Sequence, residues 1–186
     1  MSKTAVFILS SPRKGSNSNA LARAVAEGLV KAGGRAETID LSGLDLKPCL
    51  ACGNCQGNGG RCSQMDGMQT AYPRLREAAI LVLATPVYMF NLSAQLKIFL
   101  DRCYALLNPE NNALTGKTLA AAISYGADDL DSSGAGNVVK ALQDLARYTQ
   151  MTWGGLVHGR GQDRDALAQN EALLKEARAL GAKLVK

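Results

Sequence analysis

Short apolar runs alternate with segments of helical period along the whole chain. Each run has the length of a buried strand, and apolar residues between the runs recur at intervals of three and four. The predicted strands lie near Ala5–Leu9, Ala36–Leu41, Ile80–Ala84, Leu119–Ser124 and Trp153–Val157. The predicted core-facing helix positions are Leu21, Val25, Gly28 and Leu29, then Leu92, Leu96, Phe99, Leu100 and Cys103, and finally Leu173, Ala177, Leu180 and Leu184.

Apolar strands with helices between them are typical of a parallel sheet covered on both faces. We therefore predict an α/β fold with a doubly wound, five-stranded parallel sheet in the order 2-1-3-4-5, formed as a single domain over residues 1–186. Ligands of such sheets bind beyond the carboxyl ends of the strands, so function is expected in the loops that follow them. The longest irregular stretch, Ser42 to about Asp66, follows the second strand, and loops this long are usually functional or disordered.

Composition and charge narrow the function classes. The chain has a formal net charge of +5, with scattered basic residues and only one Trp, five Tyr and three Phe. This inventory argues against nucleic acid as a partner and suits anionic small molecules such as phosphorylated cofactors. The apolar run near the start, Ala5 to Leu9, is too short for a secretory signal, and no run approaches the length of a membrane span. We expect a cytoplasmic protein without a membrane partner.

Four of the five cysteines fall in one short loop, at Cys49, Cys52, Cys55 and Cys62, with the spacing C-x2-C-x2-C-x6-C. Glycines in this loop permit tight turns that can bring the thiolates together. An iron–sulfur cluster fits best, because three cysteines at three-residue intervals resemble the bacterial ferredoxin pattern. Zinc fits less well, since its ligands usually come as two separated pairs. Redox-active thiols without a cluster are a third interpretation, and disulfides fit worst in a reducing compartment.

A polar turn from Ser10 to Asn19 directly follows the first predicted strand and leads into the first helix. Such a turn presents backbone N–H groups and the positive end of a helix dipole to a phosphate, and Ser16, Asn17 and Ser18 can add side-chain donors. The turn matches neither the dinucleotide fingerprint nor the P-loop motif, which disfavours dinucleotide binding and nucleotide hydrolysis. Because the same residue types cap helices without any ligand, a monophosphate site and a simple helix cap both fit.

The segment from Thr85 to Arg102, with Pro-Val-Tyr-Met-Phe-Asn at positions 86–91, resembles the flavin loop of the NADPH-dependent FMN reductase group of flavodoxin-like proteins. Together with Ser-Pro-Arg-Lys in the first turn and the compact cysteines, the chain from Ala5 to about Ser124 resembles the iron–sulfur flavoprotein branch of that group. The resemblance implies a flavodoxin-like fold, bound FMN and a 4Fe-4S cluster. One departure is Ser10, where the family commonly has glycine.

The resemblance also implies which residues bind the cofactors. One loop is expected to hold the FMN phosphate, a second to lie along the isoalloxazine and a third to face the flavin. In chain order these residues are Ser11, Arg13, Ser16, Asn17 and Ser18, then Pro86, Val87, Tyr88, Met89, Phe90 and Asn91, then Ser124, Tyr125 and Gly126. The implied cluster ligands are Cys49, Cys52, Cys55 and Cys62. No catalytic side chain is predicted. Cys103 is expected to be a buried hydrophobe, and His158 to follow the last strand in a loop or interface.

Two functions fit the resemblance. The first is an iron–sulfur flavoprotein that transfers electrons between a low-potential donor such as ferredoxin and an acceptor. The alternative is an NAD(P)H-dependent FMN reductase that passes electrons to a small-molecule acceptor such as a quinone or an oxygen species, and whose cysteine loop holds no cluster. Both are FMN-dependent oxidoreductases, and we expect a homodimer or homotetramer. The flavin loops make a thiol-based redox sensor a less favoured interpretation.

Overall fold

A computed structural model describes residues 2–108 and 111–186. Its strands are β1 (Thr4–Leu9), β2 (Arg35–Asp40), β3 (Ile80–Tyr88), β4 (Asn91–Leu92), β5 (Leu107–Asn108), β6 (Asn111–Asn112), β7 (Thr118–Tyr125) and β8 (Thr152–Arg160). Its helices are α1 (Asn17–Lys31), α2 (Met68–Glu77), α3 (Ala94–Arg102), α4 (Leu130–Ser133), α5 (Ala135–Tyr148) and α6 (Glu171–Leu184). No helix within the described ranges is both long and apolar enough to cross a membrane.

The main sheet has the order β2-β1-β3-β7-β8, and every neighbouring pair along this path is parallel. With β7 and β8 as the fourth and fifth strands, this confirms the predicted flavodoxin-like order 2-1-3-4-5. The short strand β4 folds back antiparallel onto the end of β3, and β5 pairs with β6 apart from the main sheet. The parallel arrangement brings the loops after β1, β3, β7 and β8 to one edge.

Apolar residues form a separate core on each face of the sheet. One core contains the inward residues of α2, α3 and α5, and the other contains those of α1 and α6. Each central strand contributes alternate side chains to the two cores, as in Phe7 and Ile8 of β1. Burial on both faces explains why these strands are apolar throughout.

Two glycines allow α1 and α6 to pack with their backbones in contact. A Cβ atom added to Gly28 would lie 1.9 Å from the carbonyl oxygen of Arg178, and one added to Gly181 would lie 1.9 Å from that of Val25. A larger residue at either position would force the helices apart. The first turn of α1 borders the candidate site, so the packing of α1 against α6 helps to position that turn.

Some boundaries differ from the prediction. His158 lies inside β8, so its predicted position after the last strand is wrong. The apolar run ends at Val157, but backbone pairing continues until Arg160 lies opposite Tyr125, and pairing does not require apolar side chains. Leu92 precedes α3, and Cys103 follows it in a 3-10 turn. Ser93 caps α3 by accepting a hydrogen bond from the Leu96 N–H at 3.3 Å.

Candidate functional site

A cavity of about 390 Å³ opens at the carboxyl ends of β1, β3, β7 and β8. We call it the flavin cavity, after the residues that the sequence assigned to FMN. Ten of those fourteen residues line it, namely Ser11, Arg13, Ser16, Asn17, Pro86, Val87, Tyr88, Ser124, Tyr125 and Gly126. Gly15 and the segment 161–164 complete the lining. Ser18, Met89, Phe90 and Asn91 lie outside it. The three predicted loops therefore converge, and their cofactor-binding roles stay predictions.

The phosphate-loop end of the cavity begins at the first turn of α1. Ser16 caps the helix by accepting a hydrogen bond from the Asn19 N–H at 3.5 Å, and the Ser16 and Ser18 hydroxyl oxygens lie 3.1 Å apart. N–H groups in the first turn of a helix lack intrahelical partners and, with the helix dipole, favour an anion. Arg13 and Arg164 add positive charge to the lining. This end of the cavity is suited to a phosphate group.

The sequence predicts that Asn17 donates a hydrogen bond to a phosphate, but its side-chain amide bonds to other parts of the chain. Its side-chain nitrogen donates to the carbonyl oxygens of Gly161 at 3.1 Å and Asp163 at 2.8 Å. Its side-chain oxygen accepts from the Leu167 N–H at 2.9 Å. The amide thus holds the segment after β8 against the first turn of α1. Sequence reasoning missed this segment, although its position after the fifth strand places it at the same sheet edge.

The second predicted loop turns sharply at Met89 and Phe90. These residues form the two-residue turn between β3 and β4, with left-handed φ values of 46° and 63°. Positive φ at both positions is typical of a type I′ hairpin turn, which normally favours Asn and Gly. The turn exposes 91% of Met89 and 62% of Phe90, while Tyr88 stays in the flavin cavity with the Arg13 guanidinium 5.7 Å from its ring centre.

Helix α5 holds this turn from behind. The Asn137 side-chain nitrogen donates to the Phe90 carbonyl oxygen at 3.1 Å. A Cβ atom on Gly134 would lie 2.5 Å from the Phe90 Cα. Gly134 also has a φ of 75°, so both its backbone conformation and the close approach require glycine.

Ser10, the departure from the family pattern, links the first two loops. It is buried, its hydroxyl donates to the Ala84 carbonyl oxygen at 2.8 Å, and the Ser93 hydroxyl donates to the Ser10 hydroxyl oxygen at 2.9 Å. Because Ser93 caps α3, these bonds tie the phosphate loop to both β3 and the start of α3. A glycine could not make the side-chain bonds.

His158 pairs with Tyr125 at the far side of the flavin cavity. The Tyr125 hydroxyl lies 3.0 Å from His158 Nδ1, and the two rings stack with centres 5.8 Å apart. Burial lowers the pKa of His158, against an opposing effect of Glu176, and burial together with Asp129 raises the pKa of Tyr125. Both side chains are therefore neutral near pH 7.

A second cavity, of about 660 Å³, contains all four cysteines of the predicted cluster loop in its lining: Cys49, Cys52, Cys55 and Cys62. We call it the cysteine cavity. Its other walls come from the C-terminal end of α3, the following turn and the end of α5. The cysteines are free thiols, but the described residues contain no group of three or more Cys, His, Asp or Glu side chains arranged to hold a metal ion. The thiols therefore share one cavity without being gathered at one point.

Arg102 lies beneath the cysteine cavity, and sequence reasoning missed it. Its guanidinium donates to Asp66 Oδ1 at 3.0 Å and to Cys62 Sγ at 3.4 Å. Burial acts to raise the pKa of Cys62, but hydrogen bonds from the Gln64 backbone, Tyr72 and Arg102 lower it below its usual value. By contrast, burial raises the pKa of Cys103 to about 12, in agreement with its predicted role as a buried hydrophobe.

Comparison with known families adds a decisive observation. The family model described as NADPH-dependent FMN reductase matches residues 4–155. The chain belongs to the NADPH-dependent FMN reductase family. This confirms the predicted family, and the family's description supports the prediction of an FMN-dependent oxidoreductase.

Individual proteins similar to this chain extend the comparison. A protein named iron–sulfur flavoprotein from Methanosarcina thermophila is 39% identical over 64% of this chain and 61% of its own length. Another of that name, from Archaeoglobus fulgidus, is 30% identical over 97% of this chain and 78% of its own length. A solved NAD(P)H:quinone oxidoreductase from Methanothermobacter marburgensis has a TM-score of 0.76 at 18% identity, covering 99% of this chain and 100% of its own. The last likeness concerns the fold alone.

The flavin cavity has features that fit the FMN of the NADPH-dependent FMN reductase family. The first turn of α1 and two arginines suit the phosphate, and the end of β3, at Pro86, Val87 and Tyr88, lies along the same cavity. Gly15 has a φ of 68°, and a Cβ atom there would clash with the Asp165 carboxylate, so the backbone of the first loop can lie this close to Asp165 only with glycine at this position. The chain therefore offers both a phosphate end and a wall for a planar ring.

Proposed function

We propose that this chain is an iron–sulfur flavoprotein that binds FMN in the flavin cavity and a 4Fe-4S cluster in the cysteine cavity. It would transfer electrons between a low-potential donor such as ferredoxin and an acceptor, in a reducing compartment such as the cytoplasm. The observation that carries the proposal is the presence of all four predicted cysteines in the lining of one cavity. The names of the Methanosarcina and Archaeoglobus relatives support it.

At the flavin cavity, each part of the chain has a distinct task. The first turn of α1, with Arg13 and Arg164, would hold the phosphate of FMN through N–H groups and positive charge. The end of β3, with Pro86, Val87 and Tyr88, would hold the isoalloxazine and exclude water from one side of it. Bound FMN supplies both one-electron and two-electron chemistry.

The donor set of the cysteine cavity fits an iron–sulfur cluster in its chemistry, since four thiols line one cavity, but a bound cluster would have to draw them together; it would then supply one-electron chemistry. Thiolates are the ligands that such clusters take, and C-x2-C-x2-C leaves few residues between the first three. Left-handed backbone at Ala51 and Gly53, with φ of 51° and 72°, turns the loop tightly between these cysteines. Burial acts to raise the pKa of Cys62, but hydrogen bonds lower it below its usual value, which favours the thiolate form that ligates iron.

Helix α3 connects the two cavities. Its N-terminal cap, Ser93, is bonded to Ser10 in the phosphate loop, and its last residue, Arg102, is bonded to Cys62. The helix has nine residues, and at about 1.5 Å per residue it is about 14 Å long. The two cavities share no lining residue. A single rigid element therefore sets their separation within one chain.

The cluster assignment is tested with a pair of cysteine variants, each purified and reconstituted without oxygen. Cys55→Ser is expected to lose the cluster's visible absorbance and its iron while FMN stays bound. Cys103→Ala is the control, because Cys103 is buried outside the cysteine cavity and should leave both cofactors in place. Loss of FMN from Cys55→Ser, or retention of its full iron content, would contradict the two separate sites.

A second candidate function is an NAD(P)H-dependent FMN reductase that reduces a quinone or an oxygen species. The family description favours a nicotinamide donor, and the exposed Met89 and Phe90 can border the face where donor and acceptor alternate. The cysteines would then be redox thiols or structural residues. Sustained NAD(P)H oxidation with a quinone by the iron-free Cys55→Ser variant, at the wild-type rate, would favour this candidate over the first.

A further inference from the structure

Arg102 is buried, with 1% of its surface exposed, and it pairs with Asp66, whose side chain is also only 1% exposed. It is the last residue of α3 and borders the cysteine cavity. Burying an arginine costs free energy unless its charge and its five N–H donors find partners. The groups around Arg102 should therefore show which partners its charge and donors serve.

The guanidinium contacts both ends of the cysteine loop. It donates to the Lys47 carbonyl oxygen at 2.7 Å, just before the first cysteine. It also donates to Cys62 Sγ at 3.4 Å and to Asp66 Oδ1 at 3.0 Å, at and after the last cysteine. Arg102 thus closes the loop at its base and places a positive charge against one thiolate.

One donor of this guanidinium is left over. Arg102 Nε is buried and has no hydrogen-bond partner among the described residues. Buried N–H groups of charged side chains are rarely left unpaired, because the free energy lost on removing them from water is then not recovered by a hydrogen bond. The contact of the guanidinium with the thiols therefore runs through Nη2, which donates to Cys62 Sγ at 3.4 Å, and not through Nε.

We propose that Arg102 is a positioning residue that orients Cys62 and raises the reduction potential of the 4Fe-4S cluster, an inference that rests on the proposed cluster. The step concerned is the gain of one electron, which oxidises the low-potential donor and makes or breaks no bond. A nearby cation and N–H···S hydrogen bonds stabilise the more negative reduced state. Asp66 opposes this effect, because its carboxylate neutralises part of the same charge.

Because Arg102 and Asp66 carry opposite charges, replacing each with a neutral residue should shift the reduction potential of the cluster in opposite directions. A purely structural role of the pair would not produce this result. Midpoint potentials are measured by EPR-monitored titration on anaerobically reconstituted protein, with iron and sulfide assayed in each sample. Arg102→Gln is expected to lower the potential by at least a tenfold change in the reduction equilibrium, which is about 59 mV for one electron. Asp66→Asn is expected to raise it, and Arg102→Lys, which keeps the charge, to lie nearer wild type.

Arg74→Gln is the matched control. It removes the same charge from an arginine that pairs with Glu37 at 3.0 Å on the partly exposed side of α2, and it should not shift the potential. If Arg102→Gln loads iron and sulfide fully but keeps the wild-type potential, or if Asp66→Asn shifts it in the same direction, the inference is overturned while the cluster stands.

Two further outcomes are also decisive. If Arg102→Gln does not fold or load, Asp66→Asn decides: a raised potential supports the inference, and an unchanged or lowered one overturns it. If wild-type protein takes up no iron and sulfide after anaerobic reconstitution, the proposed function itself fails, and the inference falls with it. Iron content therefore separates failure of the proposed function from failure of the inference.

Discussion

The side chain of Asn17 should contribute both to stability and to FMN affinity, and Asn17→Ala separates this role from that of the helix terminus. Alanine keeps the backbone N–H in the first turn of α1 but removes the three side-chain hydrogen bonds to Gly161, Asp163 and Leu167. Each intramolecular hydrogen bond contributes about 0.5–1.5 kcal/mol, so the expected loss of unfolding free energy is about 1.5–4.5 kcal/mol.

The expected loss of FMN affinity comes from the segment that Asn17 holds. Arg164 lies in this segment and lines the flavin cavity. A hydrogen bond to a charged group contributes about 1.5–3 kcal/mol, so a released Arg164 should weaken FMN binding by about tenfold to a hundredfold. Stability is measured by urea unfolding of flavin-free protein through the fluorescence of Trp153, the single tryptophan, and affinity by quenching of FMN fluorescence.

Asn170→Ala provides the comparison. Asn170 caps α6 through one bond from the Leu173 N–H at 3.1 Å and does not line the flavin cavity, so its loss should cost about 0.5–2 kcal/mol and leave FMN affinity unchanged. The reasoning is refuted if Asn17→Ala loses no more stability than Asn170→Ala and binds FMN as tightly as wild type.

Four further substitutions test other features of the structure. Gly181→Ala should destabilise the protein by about 1–3 kcal/mol, because the added Cβ would overlap α1. Gly136→Ala should instead stabilise α5 by about 0.5–1 kcal/mol, because the nearest heavy atom to its Cβ would be 3.6 Å away. Urea midpoints that move in the same direction for both variants would refute the close contact between α1 and α6. Phe90→Gly should raise stability by about 0.5–1 kcal/mol by relieving a φ of 63°, and an unchanged thermal midpoint would argue against strain. Since burial lowers the pKa of His158, the unfolded state binds its proton more tightly, so stability should fall as pH drops below about 6.5; His158→Gln should remove this dependence, and an unchanged slope of stability against pH would contradict it.

The strands could be predicted from sequence because strands of a parallel sheet are buried on both faces and appear as apolar runs. Helix α2 gave a weaker signal, because it is polar on average and contains Pro73. Its buried residues nevertheless recur at helical spacing, at Met68, Ala71, Tyr72 and Leu75. A search for that spacing at the end of the long loop would have found the helix.

Some features of the candidate site could likewise be predicted from the sequence, and others could not. The carboxyl ends of neighbouring strands could be placed together from topology, as Ser11 after β1, Pro86 near the end of β3 and Ser124 near the end of β7 show. The contact between Arg102 and Cys62 could not, because the residues are 40 positions apart and meet only through the path of an irregular loop. A local signal existed in Arg102 itself, since it lies three residues after Phe99, on the buried face of α3.

The central claim is that one chain holds both FMN and a 4Fe-4S cluster. The most direct measurement is the ratio of FMN, iron and acid-labile sulfide in wild-type protein after anaerobic purification and reconstitution. We expect about four iron and four sulfide atoms for each FMN, the content of one 4Fe-4S cluster. One FMN per chain with no iron or sulfide would contradict it.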